Sequence, residues 1–160
     1  MHSRMETAPS RMFVGMRRNM SLITNHTTEL WSTFMPKKKE IEEGVGDELF
    51  SIEVYPDGYF DQFDPAAYFE KWAAVEVNDS SLFPSDMEVI TIPEGLYVVF
   101  NHQGPASMGP QTYAYIFRQW LPASDFELDD RPHLAVMGEK YENDSEDSEE
   151  ELWIPIKPKE

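Results

Sequence analysis

The chain contains no cysteine. Disulfides, thiolate metal sites and a cysteine nucleophile are therefore excluded. No apolar run approaches the ~18 residues of a membrane-crossing helix, so no membrane span or membrane partner is expected. Residues 1–10 carry His2, Arg4 and Glu6 but no apolar stretch of the kind a secretory signal needs. A cytoplasmic location is the resulting expectation. Basic residues are scarce: 13 Lys and Arg against 30 Asp and Glu give a net charge of −17. Phosphate-backbone binding needs clustered Lys and Arg, so direct nucleic-acid binding is not expected. The same charge suits attraction of cationic ligands, and equally suits plain solubility. Much of it sits in residues 139–151.

Catalytic and cofactor signatures are also lacking. There is no Gly-x-Ser-x-Gly, no P-loop and no phosphate-cradling glycine pattern around Gly109. His2, His26, His102 and His133 are scattered, without zinc-ligand spacing. Asp57-Gly58 with Asp61 and Asp64 does not fit a calcium loop. The sequence implies neither a metal nor a cofactor.

What is present is a repeated order of elements. With 160 residues and 41% hydrophobic content, the chain can bury the core of one domain. Residues 1–10 read as a flexible lead-in, and 11–158 as a single domain with half-modules at about 11–80 and 86–158. In the first half, residues 11–22 alternate as a strand. Thr27 or Thr28 then opens a helix striped by Leu30, Trp31, Phe34 and Met35, which Pro36 should end. Strands follow at 49–55 and 68–77. In the second half, residues 87–103 are strand-like with a bend at Pro93-Glu94-Gly95. A helix opens at Ser107-Met108-Gly109-Pro110, striped by Tyr113, Ile116, Phe117, Trp120 and Leu121 and stopped by Pro122. After an acidic loop at 123–132, strands are expected at 133–141 and 151–157, joined by a hydrophilic hairpin loop at 142–150.

The fold class is therefore α+β: two β-α-β-β modules in pseudo-repeat, forming one antiparallel curved sheet with both helices on one face. Parity sorts the side chains of its strands. In the last strand Leu152, Ile154 and Ile156 point one way, and Glu151 and Trp153 the other. Trp72, Glu76, Glu151 and Trp153 then share the face away from the helices, where a carboxylate beside an indole suits a cation or an aromatic ligand.

The sequence resembles the GyrI-like small-molecule-binding domain, which is also the effector-binding domain of AraC-type and MerR-type multidrug regulators. The residues that carry the resemblance are Leu30-Trp31 with Phe34-Met35-Pro36, Ala73-Ala74-Val75-Glu76-Val77, Tyr97-Val98-Val99-Phe100 with Gly104-Pro105, Trp120-Leu121-Pro122, Asp129-Asp130-Arg131-Pro132 and Glu151-Leu152-Trp153-Ile154-Pro155-Ile156. The resemblance implies a ligand cleft between tandem modules. It also implies a last-strand glutamate that meets cationic aromatic ligands, and Glu151 matches that position. Ligand contacts are expected from Glu151, Trp153, Trp72, Glu76, Tyr97 and Tyr55. Regulators of this kind carry a separate helix-turn-helix domain, for which this chain has no room.

Three functions are therefore open. The first is a stand-alone protein that binds or sequesters a hydrophobic or cationic aromatic small molecule, linked to transcriptional regulation or to drug or toxin resistance. The second is a hydrolase of strained, cyclopropane-type electrophiles, as some proteins of this resemblance are, with Glu76 and Glu151 as the acid–base pair. The third is a protein-interaction module with a regulator or gyrase as partner, engaged through the acidic loop at 143–151. Simple binding without catalysis is the favoured expectation.

Overall fold

Two long bent strands organise the fold in a computed structural model that describes residues 2–42, 44–78, 83–105, 108–138, 141–142 and 145–160. The first is β1 (Ser3–Ala8), which runs through Pro9 and Ser10 into β2 (Arg11–Met20). The second is β5 (Glu88–Ile92), which runs through Pro93 and Glu94 into β6 (Gly95–Gln103). They lie antiparallel in one register. Ser3 faces Phe100 and Ala8 faces Gly95 before the bend; Arg11 faces Ile92 and Gly15 faces Glu88 after it. A proline at each bend interrupts the ladder without breaking its register.

Between and after these strands come α1 (Thr27–Phe34), a 3-10 turn (Met35–Glu40), β3 (Leu49–Val54) and β4 (Phe69–Val77). The second half adds α2 (Gly109–Tyr115), which widens into a π turn over Ile116–Trp120 and closes in α3 (Leu121–Ala123). β7 (Phe126–Leu128), β8 (His133–Met137) and β9 (Glu149–Pro158) complete the chain. The strand order is β1-β6-β9-β8-β3-β4-β2-β5, with β7 also on β9, and every pairing is antiparallel. Outward from the β8–β3 seam, one arm reads β8, β9, β6, β1 and the other β3, β4, β2, β5. The expected β-α-β-β units are thus β2-α1-β3-β4 and β6-α2-β8-β9.

The outermost strands are exchanged between the units, which alters the expected boundaries. Residues 3–8, read as a lead-in, form β1 and pair with β6 of the second half. β5, read as the start of the second half, pairs with β2 of the first. β1 is mostly exposed and lacks apolar alternation, so only its backbone ladder reveals it. β7 lies inside the stretch read as an acidic loop, and β9 begins at Glu149, ahead of the expected start. Of the strand expected at 133–141, residues 139–140 lie outside the described residues, as do Ser107 of the helix opening and 143–144 of the hairpin loop.

Local signals explain most element ends. α1 stops at Phe34, two residues before Pro36. Its cap residue is His26 rather than a threonine, and Asn25 Oδ1 accepts the Thr27 N–H at 2.8 Å. Gly15 lets β2 approach β4 closely, since a Cβ there would lie 2.0 Å from the Ala73 carbonyl oxygen. On the helix face, α1 covers Val14, Met20, Ala73 and Val75, while Ile116 covers Val98, Phe100, Leu152 and Ile154. The opposite face is filled as well. The curving sheet brings Phe13, Phe50, Ile52, Trp72, Leu134 and Val136 together, with Phe13 edge-on to Phe50 at 4.8 Å.

Candidate functional site

The face away from the helices holds Trp72, Glu76, Tyr97, Glu151 and Trp153, as their register shows. Beside the strand crossing lies a cleft of about 340 Å³, lined by Arg11, Glu48, Glu76, Val136, Glu151 and Trp153 among others. Trp72 and Tyr97 are buried and outside that lining. Trp72 Nε1 donates to Glu70 Oε1 at 2.6 Å. Tyr97 is covered by Arg131, whose guanidinium carbon stands 4.6 Å from its ring centre.

Two of the cleft carboxylates, Glu76 and Glu151, are already paired. Arg11 forms a two-pronged pair with Glu76, at 2.9 Å from Nε to Oε2 and 3.0 Å from Nη2 to Oε1. The same guanidinium lies 5.2 Å from the Phe50 ring centre, 5.3 Å from Phe13 and 5.8 Å from Trp153. Glu151 accepts from Trp153 Nε1 at 3.2 Å and meets Arg4 Nη2 at 2.9 Å. Arg4 also stands 5.9 Å from the Trp153 ring centre. The strand that the sequence hides therefore brings a cation of its own to the seat expected for a ligand. The two carboxylates expected as an acid–base pair, Glu76 and Glu151, are each held by an arginine.

Tyr55, the remaining expected contact, lies on the helix face, one residue beyond Val54 and of opposite parity. It belongs to a second constellation at the seam between the halves. There Tyr55 packs edge-on to His133 at 4.9 Å and to Phe60 at 4.7 Å, and tilts against Tyr59 at 4.7 Å. Phe117 of the π turn reaches Phe60 at 5.2 Å and stacks on Tyr113 at 6.0 Å. The loop at 55–68, β8 and the second helix thus all contribute rings.

At the floor of this box stands Glu53, in a strand that is otherwise apolar except for Ser51. Its side chain is 10% exposed. Ser51 Oγ donates to its Oε1 at 3.1 Å, and Lys71 Nζ lies 3.7 Å from the same oxygen. The other oxygen, Oε2, is buried and makes no hydrogen bond among the described residues. His133 Nδ1 is buried and unpartnered in the same sense. A buried carboxylate oxygen without a donor is costly, by roughly 1–3 kcal/mol, and native proteins seldom keep one without a reason.

Electrostatics agree with the geometry. Burial pushes the Glu53 carboxyl up, only partly offset by Lys71 and Ser51. Glu150 on β9 is also raised by burial, and the Glu53 charge adds to that rise. Burial drives the Tyr55 and Tyr113 hydroxyls well above the usual phenol range, with the Glu53 charge pushing the same way. Burial, with the Arg131 charge beside it, lowers His133 to about 3, so it is a neutral ring at ordinary pH. The box is an aromatic enclosure with excess negative charge. It suits a positively charged, flat organic molecule. Among the described residues no group of three or more His, Cys, Asp or Glu could hold a metal ion. No helix among them is long and apolar enough to cross a membrane.

The sequence points to Tyr55 as a ligand contact but not to Glu53, Glu150, His133 and Phe60 of the same constellation, and Tyr113 reads from it as core. One signal was available: a glutamate in the middle of Leu-Phe-Ser-Ile-Glu-Val, followed at once by tyrosine.

The architecture is thus a doubled β-α-β-β sheet with both helices on one face and an acid among rings at its seam, the frame of a small-molecule-binding domain. The sequence model of the GyrI-like small molecule binding domain matches residues 1–157, and the chain belongs to that family. It is similar to the transcriptional regulator BrlR of Pseudomonas aeruginosa, at 27% identity over 161 residues. That match covers 98% of this chain and 56% of BrlR, so the chain spans little more than half of that relative. Among solved structures, SAV2435 bound to tetraphenylphosphonium superposes with a TM-score of 0.74 at 16% identity, covering 98% of this chain and 94% of that one. The C-terminal domain of EcmrR superposes at 0.73 and 14% identity, covering 99% and 98%. The fold is shared with both.

Proposed function

We propose that this domain binds a cationic aromatic small molecule in the box on the helix face, with Glu53 meeting the positive charge. The observation that carries this reading is the buried Glu53 carboxylate, one oxygen of which has no donor while aromatic rings surround it. A ligand cation would relieve that desolvation, and its rings would stack on Tyr55, Tyr113 and Phe117. Lys71 is near enough to steady the carboxylate, yet at 3.7 Å it does not saturate it. The negative charge of the chain favours approach of a cation and disfavours direct contact with nucleic acid. We read the domain as the sensing part of a regulatory or resistance system, in line with its likeness to a transcriptional regulator.

Titration calorimetry with tetraphenylphosphonium tests this reading. Glu53→Gln should weaken binding about tenfold or more, since a charge-assisted contact is worth roughly 1.5–3 kcal/mol. Equal affinity of Glu53→Gln and the parent would remove Glu53 from the site.

A second reading seats the cation at Glu151 and Trp153, as the family resemblance implies. It is favoured by the cleft beside them and by the position of Arg4, itself a cation lying between that carboxylate and that indole. There a ligand must displace Arg4, whereas at Glu53 it meets an unsatisfied oxygen.

A further inference from the structure

Phe60 stands apart from the other rings of the box. It is 42% exposed and sits on a loop, not on a strand or helix. Its ring nevertheless lies against four others: Tyr55 at 4.7 Å, Tyr59 at 5.0 Å, Phe117 at 5.2 Å and His133 at 5.6 Å. The contact with His133 is a stack at 22°, and that with Phe117 is tilted by only 32°. Neutral His133 offers a flat face with no charge to hydrate, which suits a phenyl ring.

The loop that carries Phe60 is tied down weakly. Its described backbone bonds are short-range turns: Tyr59 N–H to Pro56, Asp61 N–H to Gly58 and Ala67 N–H to Asp64. Gly58 adopts a φ of 78°, a turn conformation open to glycine. The one described bond leaving the loop comes from Ile23 N–H to the Pro65 carbonyl, at its far end. Phe63, three residues on, is 76% exposed and holds nothing down. Residues 60–63 can therefore lift without disturbing a strand ladder, and the main loss is the set of ring contacts made by Phe60, with Tyr59 left on Tyr55 and Phe69.

We propose that Phe60 is a tethered substitute for an aromatic ring of the ligand: it fills a phenyl-sized seat formed by Tyr55, Phe117 and His133, and the ligand enters by exchanging its own ring for it. This rests on the cation-binding reading of the box and adds its mode of entry and its preference for a compact ring. The exchange is nearly balanced, because the incoming ring makes the contacts that Phe60 gives up. Net affinity then comes from the charge at Glu53, and the intrinsic affinity is reduced by the fraction of time Phe60 is seated.

Two measurements test the exchange, one of them independent of the cation. Phe60→Ala opens a ring-sized seat lined by Tyr55, Phe117 and His133, so benzene should raise its thermal midpoint and leave the parent unchanged. Tetraphenylphosphonium should bind Phe60→Ala at least tenfold more tightly than the parent, with Phe60→Leu between them in a protein that keeps an apolar side chain there. Weaker binding by both variants would make Phe60 a wall of the site and overturn the proposal. So would the absence of a benzene effect on Phe60→Ala. If benzene stabilises Phe60→Ala while no form binds tetraphenylphosphonium, the seat stands and the cation-binding reading falls.

Discussion

The two faces of the sheet treat buried charge in opposite ways. On the face away from the helices, Glu76 and Glu151 each have an arginine: Arg11 grips Glu76 with two bonds and Arg4 meets Glu151. On the helix face, Glu53 has only a serine and a distant lysine, and one of its oxygens has no partner among the described residues. Both faces hold a carboxylate near aromatic rings. What separates them is whether the chain supplies its own cation. A matched site is structure; a site left short of one charge is where a ligand has most to gain.

Breaking the matched side should give the largest effect. Arg11→Ala strands Glu76 in a half-buried setting and removes a guanidinium from three rings, and should cost roughly 2–4 kcal/mol in urea unfolding. Adding Glu76→Gln should recover part of the loss; a double variant no more stable than Arg11→Ala would mean that the stranded Glu76 charge costs nothing.

The unmatched side should show itself in pH dependence. His133 falls from an ordinary 6.5 to about 3, so the unfolded chain takes up a proton that the native chain refuses. Its contribution to stability is present above pH 6.5 and is lost as the pH falls from there toward 3. Glu53 has the opposite sign. Its folded value is raised above an ordinary 4.5, so its contribution is present below that pH and is lost as the pH rises. His133→Phe should therefore flatten the acid limb of the melting profile. Glu53→Gln should be more stable than the parent at pH 7, by roughly 1–2 kcal/mol, and equal to it near pH 4. A Glu53→Gln protein less stable than the parent at pH 7 would show that Lys71 already satisfies the acid.

The smallest effect belongs to Arg4, whose side chain is 47% exposed. Arg4→Ala should change stability by less than about 1 kcal/mol, as a surface pair does. It should also add a second tetraphenylphosphonium site, which Glu151→Gln removes. Failure to gain that binding would reduce the Trp153 seat to packing.

The repeat was readable because its strands alternate and its helices are striped. Parity alone placed Trp72, Glu76, Glu151 and Trp153 on one face, and the last strand divided as expected. The pairing state of those acids was not readable. Arg4 meets Glu151 only because an exposed edge strand, with no apolar alternation to betray it, docks on β6. The box was hidden for a related reason. Tyr55 follows a strand, Phe60 sits in a loop, Tyr113 looks like one more apolar residue of a helix stripe and His133 looks like a stray histidine. Only the meeting of β3 with β8 puts them together.

The shared register of the two bent strands has a consequence for how the molecule can move. Each of those strands belongs to both halves, so neither half keeps a complete set of neighbours if the chain is divided near residue 80. The duplicated units are therefore interlocked and cannot part like the leaves of a book. A ligand wedged at the seam can only twist one arm against the other, with Pro9 and Pro93 as the natural pivots. Such a torsion would reach the N-terminal residues at once, because they are the far end of the strand being twisted.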